Sequence, residues 1–278
     1  MLGFGKKKAR GIEGILDHEL PSFSASVVNL LEMLRNPDCS FAQLAEELET
    51  DPGLHVRVLK TVNSAAFGLS HKVSNLHHAI SLLGRARLES LVLSVAVRNN
   101  LGNGEIPDWF DMRRFWQTAA RRAALARSLA QRLHPSNQSE CFTAGLLQDM
   151  AVPILARYRE QNYRSLYDEW NGDPSIKNLS EYERQLLQLD HAEIGAQMAK
   201  NWGFPPNLIE MIGSHHLNLD APASPLAVRV VSLIKDNQTH LETVAEQVRS
   251  LYAIDPDIYC ELAQKAEDDA VELAEALI

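Results

Sequence analysis

This 278-residue chain is expected to fold as an all-α protein, and three observations carry that expectation. Apolar residues recur at spacings of three and four along most of the length, the period of one helix face. Capping residues and prolines stand where helices would begin. Period-two alternation bounded by turn residues, the mark of a half-buried strand, is hardly present.

The elements follow in order. Val27, Leu30, Leu31 and Leu34 form an amphipathic stripe that stops at Asn36-Pro37, because a residue before proline is pushed out of the α region. Ser40-Phe41-Ala42-Gln43 reads as a capping box, and Asp51-Pro52 opens the next helix with proline in its first turn. The string Ala65-Ala66-Phe67-Gly68-Leu69-Ser70 breaks the pattern. Helices resume at about 75–83 and 85–101 with Gly84 between them, and Gly102-Asn103-Gly104 with Pro107 marks a boundary between two helical lobes. A long helix runs from about Asp111 to Leu133. Phe115, Trp116, Ala119, Ala123, Ala126 and Ala130 share one face of it, and so many alanines imply close approach of a neighbour. Ser180-Glu181-Tyr182-Glu183 and Asp190-His191-Ala192-Glu193 read as successive capping boxes, and Pro205, Pro225 and Asp255-Pro256 open the remaining helices.

Composition sets the class. Apolar residues are 45% and charged residues 23%, ordinary globular values that exclude a disordered chain. Lys+Arg of 27 against Asp+Glu of 36 gives −9, so no global field draws the chain to nucleic acid. No apolar run of about 18 residues occurs, and no membrane partner is expected. The basic start, Met1 to Lys8, has no apolar stretch behind it, so a secretory signal is not expected and a cytoplasmic location is. Cys39, Cys141 and Cys260 are too widely spaced for a metal knuckle and odd in number, as packed thiols in a reducing compartment would be.

Charge is uneven. Residues 1–10 hold four cations and no acid, and six arginines with no acid lie between Met112 and Ser139. From Asp255 onward eight acids stand against Lys265 alone. Blocks of this kind are expected chiefly as solvated faces.

Ten histidines are spread over the chain. His77-His78 are adjacent on a helix and point about 100° apart, a poor pair for one metal. His191 opens a helix and His215-His216 closes one, positions where histidines serve as caps or dipole partners. Together with Asp149 they could also converge in a bundle core as ligands. The segment 40–62 has the outline of a helix-turn-helix with His55, Arg57 and Lys60. Its first helix carries Glu46, Glu47 and Glu49, which would face phosphates badly, so a packed hairpin is expected and nucleic acid is not. No Walker loop, dinucleotide fingerprint or Gly-x-Ser-x-Gly elbow occurs.

Several strings resemble one family. Leu20-Pro21-Ser22-Phe23-Ser24, Asp51-Pro52-Gly53-Leu54, Val62-Asn63-Ser64-Ala65-Ala66-Phe67-Gly68 and Ala79-Ile80-Ser81-Leu82-Leu83-Gly84 are similar to the N-terminal half of HDOD domains. Phe115-Trp116, Ala144-Gly145-Leu146-Leu147-Gln148-Asp149, Asp190 to Ala196, Trp202-Gly203-Phe204-Pro205 and His215-His216 are similar to the second half. These are HD-related output domains of bacterial signalling proteins, and the resemblance runs from about residue 20 to 236. It implies a two-lobed helical bundle with an HD-like C-terminal lobe. The expected organisation is a basic tail over 1–20, the domain over 21–220 with lobes at about 21–104 and 105–220, and a helical extension over 221–278 completing the second lobe.

The wider HD superfamily consists of metal-dependent phosphohydrolases with a His on one helix, a His-Asp pair on a second and a later Asp. By that resemblance the first His falls at Thr118, the pair at Gln148-Asp149, and the late Asp at Lys235, with Asp236 as the neighbouring register. An ammonium in a ligand position would repel a divalent ion and could pair with Asp149 instead. Asp149, His191, His215 and His216 survive, and Ala151-Val152 stand where metal-binding relatives carry Gly-Lys. The expected pocket is therefore a remnant built of Thr118, Gln148, Asp149, His191, His215, His216 and Lys235. It has no catalytic residue, no cofactor and no metal, and Lys235 is the first candidate partner of Asp149, ahead of Thr118 or a histidine.

The expected function is a non-catalytic regulatory output module that binds a signalling protein or a small ligand. No receiver, cyclase or kinase segment is recognised, so its signal would arrive in trans. A divergent phosphohydrolase acting on nucleotides or cyclic dinucleotides, and a DNA-binding regulator using the 40–62 hairpin, are the alternatives.

Overall fold

Residues 22–64, 67, 69, 71–102, 106–158, 160–173, 178–216, 224–236 and 241–277 are described by a computed structural model of the chain. The expected basic tail, and Ala65, Ala66, Gly68, Ser70, Asn103 and Gly104 of the turn and boundary strings, lie outside these residues. Among the described residues all regular structure is helical.

The first lobe is built as the capping signals imply. Ser24 caps α1 (Ala25–Arg35), whose stripe of Val27, Leu30, Leu31 and Leu34 is buried. Ser40 and Gln43 close a reciprocal capping box on α2 (Phe41–Glu49), and Asp51 accepts from the Leu54 amide to start α3 (Pro52–Val62). The long α4 (Leu76–Gly102) is broken at Gly84, where φ is 72°. α1, α2 and α3 all pack on α4. The α2–α3 hairpin buries Leu44, Leu48, Leu54 and Val58, as expected of a packed element, while Leu59 is half-buried. Arg57 turns its guanidinium towards the carbonyl of Leu277 at 3.5 Å, so this candidate for phosphate contact is engaged within the chain. His77 and His78 are adjacent on a helix as expected, exposed in the first turn of α4.

The second lobe is centred on α5 (Met112–Leu133), capped by Asp111 and paired along its length with α6 (Gln138–Leu147). Ala119, Ala123, Ala126 and Ala130 are buried, and Gly145 shows why. A Cβ there would meet the carbonyl oxygen of Arg122 at 2.9 Å, so only glycine lets the two helices approach this closely. Beyond a short turn come α7 (Val152–Tyr158), α8 (Glu160–Gly172), α9 (Leu179–Leu187), α10 (His191–Asn201), α11 (Pro206–Gly213) and α12 (Leu226–Val231). α9 begins two residues before the expected box. Asn178 is its cap, and Ser180 gives both its amide and its hydroxyl to the Asn178 side chain.

α13 (Leu241–Tyr252) and α14 (Pro256–Leu277) complete the chain. α14 lies along α5 and also touches α3, so the C-terminal extension contacts both lobes. Here the charge blocks stay largely exposed, and they also face each other within the fold. The arginines of α5 face the acids of α14, with Arg121–Glu267 at 2.9 Å and Arg132–Glu261 at 3.7 Å. The physical reason is the alanine face of α5 (a narrow seam that brings the two polar margins within reach). Cys39 and Cys141 are buried, Cys260 is half-buried, and all three are free thiols. No described helix is long and apolar enough to cross a membrane.

Candidate functional site

Three close helix contacts bring one set of polar side chains together inside the second lobe. The α5–α6 approach places Arg122 beside Asp149, which sits in the turn just after α6. α10 and α11 pack closely because Gly213 carries no Cβ, which would lie 2.9 Å from that of Ala196. That contact aligns His191, the first residue of α10, with His215 and His216, in the turn after α11. α11 in turn packs on α6, so the histidines arrive over Asp149.

Nε2 of His191 is 2.9 Å from Nε2 of His216 and 3.2 Å from that of His215. Oδ1 of Asp149 lies 3.3 Å from Nε2 of His215 and 3.5 Å from Nε2 of His191. One ligand atom from each of these four residues falls within 4.8 Å of every other. His191, His215 and Asp149 are buried and His216 is half-buried.

The far side of each ring decides its tautomer. Nδ1 of His191 is 2.6 Å from Oε2 of Glu183, which also accepts the His191 backbone amide at 2.8 Å. Tyr163 donates its hydroxyl to the other oxygen of Glu183. Nδ1 of His215 lies 2.6 Å from the carbonyl of Ile212, which can only accept. In both neutral rings the proton therefore sits on Nδ1 and the Nε2 lone pair points inward. Two imidazole lone pairs and a carboxylate oxygen thus face one another in a buried space, an arrangement that repels unless a cation or proton lies between them. The donor set, three imidazole nitrogens and one carboxylate oxygen with the partners of two rings fixed, fits a single transition ion.

Charges follow the same logic. Burial alone would raise Asp149, yet Arg122 together with the histidines holds it well below the usual carboxylate range. Burial lowers His191, but the Glu183 carboxylate outweighs it and brings this imidazole up to about 9. Burial, then the neighbouring histidines, pushes His216 well below its ordinary value, which keeps it neutral.

Two of the expected pocket residues are present without partners. Thr118 is fully buried and its Oγ1 finds no hydrogen-bond partner, and both amide atoms of the buried Gln148 are likewise unmatched among the described residues. Lys235 is placed differently from the expectation. Its Nζ donates to the carbonyls of Trp170 at 2.7 Å and Asp173 at 2.8 Å, and it does not pair with Asp149. Asp236 accepts from the Tyr167 hydroxyl.

The partner of Asp149 is Arg122, whose Nη1 binds Oδ2 while Nε and Nη2 hold the Ile234 carbonyl, with Nε at 3.0 Å. A planar fork can bridge a carboxylate and a carbonyl at once, which an ammonium does less well. The sequence held a signal for it. Arg122 lies one turn after Thr118 and between alanines of the buried face, where a charge must find a partner. Glu183 offered no such signal, because a Glu three residues after Ser180 reads equally well as half of a capping box.

Comparisons with known proteins agree with this architecture. The HDOD domain profile matches residues 20–218. A crystal structure of a candidate phosphohydrolase from Shewanella amazonensis SB2B is 25% identical, with a TM-score of 0.73 over 94% of this chain and 96% of that one. An HDOD domain protein of unknown function from Geobacter sulfurreducens is 21% identical, with a TM-score of 0.66 over 93% and 92%. Among curated sequences, a protein of Treponema pallidum (strain Nichols), named only as uncharacterized, is 24% identical over 259 residues. This chain spans about half of that relative, 48% of its length against 89% of its own.

Proposed function

The chain belongs to the HDOD domain family, and from that premise we propose that it is a non-catalytic regulatory module of bacterial signalling. It acts by binding a signalling protein or a small ligand in the cytoplasm. The observation that carries this reading is the guanidinium of Arg122 on Asp149. Hydrolysis of a phosphate ester needs a water held and acidified beside an open metal position, with further cationic charge on the phosphoryl oxygens. Here one oxygen of the carboxylate is bound to Arg122, and the other faces three imidazoles that would fill a four-coordinate ion without room for water. Thr118 and Gln148, at the positions where the wider superfamily carries histidines, offer a hydroxyl and an amide, neither of which serves as a general base at neutral pH.

The likeness to the Shewanella candidate phosphohydrolase, together with the surviving Asp/His cluster, favours a second reading, a divergent phosphohydrolase. A single assay separates the two. Purified chain with Mn²⁺ or Mg²⁺ should not turn over phosphomonoesters, nucleotides or cyclic dinucleotides above a buffer blank. Turnover that vanishes in Asp149→Ala would overturn the regulatory reading.

A further inference from the structure

We infer that Arg122 makes this pocket a one-ion site, in which a single divalent transition ion is held by Oδ1 of Asp149 and Nε2 of His191, His215 and His216 while the guanidinium occupies Oδ2. The spacing is the first argument. Metal–ligand bonds of about 2.0–2.1 Å place tetrahedral ligands about 3.3–3.4 Å apart. The four recorded separations are 2.9, 3.2, 3.3 and 3.5 Å, and none of the six exceeds 4.8 Å. Four side chains from three segments of the chain meet that spacing with small adjustments.

Orientation is the second argument. Two of the three rings are turned ligand-side inward by partners that are themselves fixed, Glu183 by the Tyr163 hydroxyl and Ile212 as helix backbone. Three imidazoles with one carboxylate in a tetrahedral arrangement suit Zn²⁺, and they suit Mg²⁺ or Ca²⁺ poorly, since those ions take oxygen ligands in larger number.

Charge supplies the limit of one. Asp149 and Glu183 bring two negative charges to the pocket and Arg122 one positive. Asp190, at the start of α10, is already matched by Arg184 at 2.5 Å. One divalent ion leaves this buried group near neutrality, whereas a second would leave it with a large positive excess and no free carboxylate to bridge the pair. A guanidinium seated on Oδ2 also takes the oxygen a bridging carboxylate would need. Thr118 and Gln148, both neutral and unpartnered, offer a second ion no charged ligand. The expectation of a metal-free remnant weighed the ligands lost at three positions. The geometry shows what the four retained ones make together.

The test uses tag-free full chain, loaded with Zn²⁺ or with Co²⁺ as a spectroscopic probe. Expected results are one equivalent of metal by elemental analysis, the intense visible bands of tetrahedral Co²⁺, and a rise in Tm on binding. His216→Ala, the least buried of the ligands, should weaken binding at least tenfold. Glu183→Gln should weaken it about 10–100-fold while keeping one equivalent. Stoichiometric uptake of two ions, the faint spectrum of octahedral Co²⁺, or no uptake by chain that circular dichroism shows to be folded would each overturn the inference. So would unchanged affinity in His216→Ala. None of these readouts involves turnover, so failure here leaves the regulatory reading standing, and turnover would end that reading without touching the ion count.

Discussion

Two places on α5 carry arginine–carboxylate pairs, and they teach opposite lessons about what a salt bridge contributes. Arg122 and Asp149 meet inside the lobe with side chains 3% and 9% exposed. Arg121, the residue immediately before it and one position round the helix, meets Glu267 of α14 with 37% and 46% exposure. The chemical groups are the same. The interior pair has been stripped of water, and each member depends on the other for solvation, Arg122 also on the Ile234 carbonyl and Asp149 also on the imidazoles of His191 and His215. The outer pair is solvated on several sides, screened by salt, and opposed by the entropy of two long side chains. Position on the helix, about 100° of rotation, decides which regime an arginine enters.

The sharpest break in the comparison is removal of one inner partner. Arg122→Ala should destabilise the chain by about 3–5 kcal/mol in urea unfolding, because Asp149 is left buried and uncompensated. The double replacement Arg122→Met with Asp149→Leu should recover much of that loss, since neither charge then needs solvation. If Arg122→Ala costs no more than a surface change, Asp149 has other solvation and the contrast fails. A smaller effect tests the approach of the helices. Gly145→Ala would drive a methyl against the Arg122 carbonyl and the Ala126 Cβ, at 2.9 and 3.0 Å. A cost of about 1–3 kcal/mol is expected, with metal affinity falling in parallel as Arg122 and Asp149 move apart.

Lys235 sits between the two regimes, a cation held by carbonyls. Burial lowers its pKa to about 8 from an ordinary 10.5, and Asp173 offsets part of that effect. The folded state therefore loses this proton before the unfolded state does. Between these values the unfolded chain binds more protons, so this group's contribution to stability rises with pH through that window. Lys235→Met should remove the rise. The difference between the two proteins is the quantity to measure, since buried tyrosines such as Tyr259, whose phenol burial pushes well above its ordinary value, titrate with the opposite sign at higher pH.

What was legible in the sequence follows the same divide between local and long-range effects. Helix starts were readable because Ser40, Asp51, Asp111 and Asp190 each cap a helix within three residues of their own position. The cluster of Asp149, His191, His215 and His216 was readable through the family's strings. The partner of Asp149 was misplaced because it was sought at the position of a lost ligand, Lys235, whereas Arg122 lies 27 residues before the aspartate on a different helix. Only the packing of α5 on α6 joins them. Glu183 was hidden for a related reason: its eight-residue separation from His191 crosses a turn whose shape no local rule fixes. The facing of α5 and α14, through pairs 129 and 146 residues apart in the chain, was likewise beyond any spacing argument.

The outer clasp gives the smallest expected effect and the most direct check on the contrast. Arg121→Ala or Glu267→Ala should each cost about 0.2–1 kcal/mol at low salt. Arg132–Glu261, longer at 3.7 Å and more exposed, should contribute less still. Raising ionic strength to about 1 M shortens the Debye length to about 3 Å. The Arg121→Ala difference should then shrink towards zero, while the Arg122→Ala difference should hardly move, because salt does not enter the space around Asp149. A double-mutant cycle on each pair, run at both salt concentrations, reads the two couplings separately. If the outer coupling proves large and salt-independent, α14 is held to α5 by charge in a desolvated seam, and the two pairs belong to one regime after all. If it is small and screened, α14 is held by the buried faces of Tyr259, Leu262, Ala266, Ala270 and Leu273, and the facing charges serve mainly to set which sides meet.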